Sequence, residues 1–203
     1  MPLAVKHATR YSPHLKSLTL RNESVKTISP KVFGITGWKN SGKTTLVSEL
    51  VRWFCERGIK VSTIKHAHCD FDIDRPGTDS FKHREAGAQQ VLLASSHRWA
   101  LMNELRNQQE QELDDLLKKL DPVDLVLVEG FKMGNQPKIQ VVRPSNNTER
   151  LSDEAQPIVA IASDENISPA DYGCSGPLLA LDNIHSIGLF ISEYCQLTLN
   201  AER

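Results

Sequence analysis

One stretch limits what this chain can fold into more than any other. The apolar run Val32-Phe33-Gly34-Ile35 leads through Thr36 into Gly37-Trp38-Lys39-Asn40-Ser41-Gly42-Lys43-Thr44, and a segment with Leu46, Val47, Leu50, Val51 and Phe54 at three- and four-residue spacing follows. That order reads as a buried strand, a glycine-rich turn and an amphipathic helix. Gly37 and Gly42 allow the backbone to turn so that successive N–H groups point inward, and the turn feeds the positive end of a helix, the composition of a phosphate-binding loop. In such a loop Lys43 supplies a mobile cation for the β- and γ-phosphates and Thr44 a hydroxyl for Mg²⁺. Gly58 closes the helix.

The rest of the chain is read against that unit. The residues Ile59–Lys65 form a second strand, and the polar segment 66–79 a loop. A helix starts at Asp79 or Ser80, either of which can cap it, and runs to Gly87. The spans 90–94 and 98–105 flank Ser95-Ser96-His97 as a β-hairpin carrying Leu92, Trp99, Leu101 and Met102. Gln109–Leu120 reads as a helix ended by Pro122, Leu125–Val128 as a buried strand, 138–143 and 158–162 as two more strands, and 183–194 as the last helix. Strands alternating with helices, with a phosphate loop after the first strand, imply an α/β fold of the P-loop NTPase type. Its sheet is mostly parallel, with helices on both faces and the hairpin as an extension.

A chain of 203 residues suits one folded domain over 31–203. Five of the 24 Lys and Arg residues, but one of the 25 Asp and Glu residues, lie in residues 1–30. That arm is basic, rich in Ser and Thr and without apolar periodicity. Its composition is shared by transit peptides, by mobile tails and by a start codon placed too early, and we read it as a disordered tail. The remainder is acidic, which excludes a nucleic-acid binder by charge. No stretch is long enough for a membrane span, and Cys55, Cys69, Cys174 and Cys195 form no C-x-x-C pair, so a reducing cytoplasm is the expected home.

In a parallel sheet, ligands gather at the carboxyl ends of the strands. Four places qualify. The first is the loop Gly37–Thr45. The second is Glu129, which can hold Mg²⁺ through water or polarise an attacking water. The third is the segment 66–79, whose acids, Asp79 foremost, can reach a metal or serve as helix caps. There Lys65 and His66 are read as phosphate or substrate contacts, and His66, His68 and Cys69 leave open a Zn²⁺ or Ni²⁺ site. The fourth is Asp164, whose carboxylate can accept from N1 and N2 of guanine or belong to a plain turn; no Asn-Lys-x-Asp guanine reader occurs in the chain.

Together, Gly37-Trp38-Lys39-Asn40-Ser41-Gly42-Lys43-Thr44-Thr45, Lys65-His66-x-His68, Asp74-x-Pro76-Gly77-x-Asp79-Ser80, Arg84-Glu85-Ala86-Gly87-Ala88, Val128-Glu129-Gly130-Phe131-Lys132 and Ala162-Ser163-Asp164 resemble the MobB family of molybdopterin-guanine dinucleotide biosynthesis proteins. The resemblance implies a cytoplasmic, homodimeric GTP-binding protein with weak GTPase activity, an adaptor to the guanylyltransferase and other maturation proteins of the molybdenum cofactor. GTP and Mg²⁺ would be held by Gly37, Asn40, Ser41, Gly42, Lys43, Thr44 and Thr45, with Thr44, Asp79 and Glu129 about the metal, Lys43 and Glu129 catalytic, and Asp164 at the base. No arginine finger can be assigned, although Arg75 and Arg84 flank the 66–79 segment. A metal-delivery GTPase and a small-molecule kinase with the same loop are the alternatives.

Overall fold

The computed structural model describes residues 30–67, 71–146, 151 and 157–200. The arm 1–29 and residues His68, Cys69 and Asp70 lie outside that set.

Six strands, β1 (Lys31–Gly37), β2 (Val61–Lys65), β5 (Leu125–Glu129), β6 (Lys138–Val142), β7 (Ile158–Ser163) and β8 (Leu178–Ala180), form one sheet in the order β2-β5-β1-β6-β7-β8. Every pair is parallel. β3 (Gln90–Ala94) and β4 (Trp99–Asn103) form the separate antiparallel hairpin. The expected α/β architecture with a hairpin extension is therefore the observed one.

Side chains alternate across each strand, which splits the core in two. Phe33 and Ile35 of β1 face α1 (Lys43–Glu56) and α4 (Ile184–Cys195), where Leu46, Leu50, Phe54, Ile187 and Ile191 are buried against them. Each such side chain contributes roughly 1.5–3 kcal/mol. The helices approach closely because residue 188 is glycine: a Cβ there would lie 2.6 Å from the Trp53 ring. On the opposite face Val126 and Val128 pack against Leu113 of α3 (Leu113–Leu117), with Val32 alongside.

The elements differ from expectation in four places. α3 is five residues long instead of spanning 109–120. The stretch before it stays extended, with Glu112 at φ −65° and ψ 155°, and Glu110 reaches out to His66 at 2.6 Å, a tertiary contact that overrides helix propensity. The short helix α2 (Asp79–Glu85) is capped by neither Asp79 nor Ser80 but by Thr78, whose Oγ1 accepts from the Phe81 N–H at 3.4 Å. β2 starts at Val61 because Ile59 is still tied into the end of α1 through the Phe54 carbonyl. β8, three residues at the sheet edge, carries no pattern that the sequence reading could detect.

Candidate functional site

The order of the strands places β1 between β5 and β6, so the chain leaves β1 into the crevice where such sheets bind ligands. The backbone there needs its glycines. Gly37 has φ +141°, and a Cβ on it would lie 2.5 Å from the Val141 carbonyl oxygen; Asn40 at φ +62° and Gly42 at φ +98° complete the turn. Gly42 is the N-cap of α1 and offers no side chain to its free N–H groups, and the first turn carries no acid. The positive end of a 14-residue helix therefore opens into the loop.

Lys43 Nζ donates to the Trp38 carbonyl at 2.5 Å. Burial lowers the pKa of its ammonium; Glu129 opposes that shift, while the neighbouring cations Lys132 and Lys65 reinforce it.

The strand register sets the other half of the site. Lys65 and Glu129 are direct partners at the ends of β2 and β5. Lys65 Nζ lies 3.1 Å from Glu129 Oε1 and donates to Thr44 Oγ1 at 3.2 Å, while Thr44 Oγ1 donates to the same Glu129 oxygen at 2.7 Å. The three groups close a triangle at the foot of α1, and a cleft of about 390 Å³ runs from it past Ser48 and Thr63. A hydroxyl and a strand-end carboxylate held together beside a glycine cradle are a donor set that fits Mg²⁺ and a nucleotide phosphate.

On the other flank of the loop, Arg143 follows β6. Its Nε donates to the Ser41 carbonyl at 3.1 Å, and its Nη1 lies 3.5 Å from Asp164 Oδ2. Asn146 Nδ2 donates to the Asn40 carbonyl at 3.1 Å, bracing the loop from the same side. Asp164 and Thr45 line a second cleft of about 370 Å³ with Gly42, Leu181 and Asp182.

Of the site residues expected from sequence, the structure brings together Gly37 to Thr45, Lys65 and Glu129, with Asp164 across the loop. Asp79 stands apart: its carboxylate is 91% exposed and pairs with Lys82 at 3.3 Å, and among the described residues no hydrogen bond or ion pair joins it to Thr44 or Glu129. His66 is committed to Glu110 and packs on Phe131 at 4.7 Å between ring centroids; among the described residues no group of three His, Cys, Asp or Glu side chains could hold a metal ion. Arg84 is held by Asp74, Glu104 and Asp72 at 2.5, 2.9 and 3.0 Å, hydrogen bonds that raise its pKa further, so it braces the segment after β2. Arg143 is not among the site residues expected from sequence, where it reads as the last residue of the strand 138–143; β6 ends at Val142, which puts Arg143 just past the strand end.

A glycine-rich loop between the first strand and its helix, at the carboxyl edge of a parallel sheet and beside a strand-end acid, defines an α/β protein of the P-loop NTPase type. The family model for molybdopterin guanine dinucleotide synthesis protein B, MobB, matches residues 32–164. The molybdopterin-guanine dinucleotide biosynthesis adapter protein of Escherichia coli is 37% identical over 175 residues, 84% of this chain and 96% of that protein. Its namesake in Haemophilus influenzae is 38% identical over 165 residues, 80% of this chain and 88% of that protein. The chain belongs to the MobB family. The crystal structure of Bacillus subtilis MobB superposes with a TM-score of 0.62 at 20% identity, covering 80% of this chain and 97% of that one, and so shares the fold. No helix among the described residues is long and apolar enough to cross a membrane.

Proposed function

We infer that this chain is a GTP-binding adapter in molybdopterin-guanine dinucleotide biosynthesis, with weak GTPase activity. The observation that carries the reading is the triangle of Thr44, Lys65 and Glu129 beside the glycine loop. Backbone N–H groups of residues 40–44 and the Lys43 ammonium would hold the phosphates, and Thr44 with Glu129 would hold Mg²⁺, whose chemistry there is to neutralise charge between the β- and γ-phosphates. Asp164, across the loop in the second cleft, would accept from the guanine edge. Slow turnover is the expectation because no arginine finger can be assigned: of the two arginines that flank the 66–79 segment in sequence, Arg75 and Arg84, the second is tied to three carboxylates.

The names of the bacterial relatives support the adapter role, and the guanylyltransferase of the same pathway is the partner we assign. The hairpin supports a homodimer: Leu92 and Leu101 are register partners, and with Trp99 they leave an apolar strip on its outer face. A kinase is disfavoured by the absence of an arginine-rich lid in the sequence; of the residues behind the metal-delivery reading, His66 pairs with Glu110, and His68 and Cys69 lie outside the described residues. Calorimetric titration of GTP with Mg²⁺ into the parent and into Lys43→Ala tests the reading. The variant should lose at least a hundredfold in affinity, on the order of two charge-assisted hydrogen bonds; equal binding by both proteins would overturn the phosphate-loop assignment.

A further inference from the structure

After Glu129 the chain turns through two consecutive left-handed residues, Gly130 at φ +92° and Phe131 at φ +46°. A bulky residue rarely adopts that conformation and keeps it only where its surroundings over-determine it. They do so here. The Gly130 N–H donates to the Ile35 carbonyl at 3.0 Å, and the Phe131 carbonyl accepts from the Gly134 N–H at 3.1 Å and from Gln136 Nε2 at 3.2 Å. The Phe131 ring lies against His66, itself fixed by Glu110, and a Cβ on residue 130 would come within 3.0 Å of the His66 Cβ.

The turn delivers the next residue to the phosphate loop. Lys132 Nζ lies 4.4 Å from the centre of the Trp38 ring, and Trp38 is also the residue whose carbonyl holds the Lys43 ammonium. With Lys65, three ammonium groups converge on one side of the loop, where Glu129 is the carboxylate that acts on Lys43 among the described residues. Trp38 is 39% exposed, so its face is an open seat for a cation and not a buried one. Such an excess of positive charge suits a compact polyanion.

We propose that Lys132 is the residue that reads the terminal phosphate: the ammonium rests on the Trp38 ring and transfers to the γ-phosphate when a nucleoside triphosphate fills the loop. The inference rests on the nucleotide-binding reading above and adds a residue, a discrimination and an optical signal to it. A diphosphate leaves the ammonium on Trp38, so the two nucleotides give the loop different surfaces.

The experiment compares GTP with GDP in the presence of Mg²⁺, by calorimetry and by tryptophan fluorescence, for the full chain, Lys132→Met, Lys132→Arg and Trp38→Phe. The parent should bind GTP more tightly than GDP, and GTP alone should change its emission. Trp38→Phe should abolish that change. Lys132→Met should weaken GTP on the order of tenfold, leave GDP within about twofold and lose the optical response; Lys132→Arg should restore most of the GTP affinity. Equal weakening of both nucleotides in a Lys132→Met protein that melts like the parent, or no weakening of either, would overturn the proposal while leaving the phosphate loop intact. A parent that binds neither nucleotide would overturn both.

Discussion

Lys65 and Glu129 stand side by side at the ends of neighbouring parallel strands, 3.1 Å apart, and share the hydroxyl of Thr44. The pairing has a physical consequence. Two strands in register bring an ammonium and a carboxylate to the same height of the sheet, and the first turn of α1 lowers a hydroxyl between them. The assembly is thus fixed by backbone geometry, with no flexible loop needed to build it.

Replacing Glu129 by Gln keeps an oxygen that Thr44 can donate to and removes the charge. Nucleotide affinity measured in EDTA should then stay within about twofold, while the gain on adding Mg²⁺ should shrink on the order of tenfold, the loss of one charge in an oxygen-ligated divalent site. Titrating MgCl₂ at fixed GTP reads this directly. An unchanged Mg²⁺ dependence would remove Glu129 from the metal and leave it as the anchor of Lys65 alone.

Asp164 gives a prediction about the base. A carboxylate accepts from both N1 and N2 of guanine, and an amide of the same shape can offer only one acceptor. Asp164→Asn should therefore lose affinity for GTP by about tenfold and lose little for ITP, which lacks the N2 amine. Competition of the two nucleotides for the parent and the variant measures the ratio. Arg143 pairs with the Asp164 carboxylate at 3.5 Å, which restricts the orientation of that side chain.

Local signals carried much of this site, and long-range ones did not. Gly37, Gly42, Lys43 and Thr44 are legible because one strand, one turn and one helix, contiguous over residues 31–56, build the loop, and Glu129 because an apolar run ends on an acid. Arg143 reaches the carbonyl of Ser41 across 102 positions of sequence, which no spacing encodes. The positive φ of Phe131, which directs Lys132, is held by hydrogen bonds from Gly134 and Gln136 and by the His66 ring, and the Glu110 contact to the same His66 accompanies the shortened α3. Asp79 is expected at the metal because it belongs to the segment that follows a strand end, but in the fold its carboxylate faces solvent and pairs with Lys82, while Thr78 takes the helix cap.

The hairpin predicts an oligomer. Leu92, Trp99 and Leu101 are exposed on one face of two short strands that pair with no further strand among the described residues, whereas Val91 and Met102 on the opposite face are buried. Sedimentation of the parent should show a dimer, and Leu92→Glu with Leu101→Glu should give a monomer whose melting temperature, extrapolated to low protein concentration, matches the parent. A parent that sediments as a monomer with and without GTP would remove the dimer from the proposed function.

Lys138 gives a pH dependence that is independent of any ligand. The side chain is fully buried on β6, where Nζ donates to the carbonyls of Gln136, at 3.0 Å, and Gly134. Burial disfavours the ammonium and lowers its pKa to about 8 from 10.5. Between those two values the unfolded chain binds a proton that the folded chain has released, so unfolding takes up a proton and the stability contributed by this group rises with pH. The rise should be on the order of 3 kcal/mol from below pH 8 to above pH 10.5, since each unit of difference is worth about 1.4 kcal/mol. Urea unfolding of the parent and of Lys138→Met at pH 7, 8.5 and 10 isolates it: the stability difference between the two proteins should move in favour of the parent as pH rises. A difference that stays flat across the series would show that Lys138 keeps an ordinary lysine titration despite its burial.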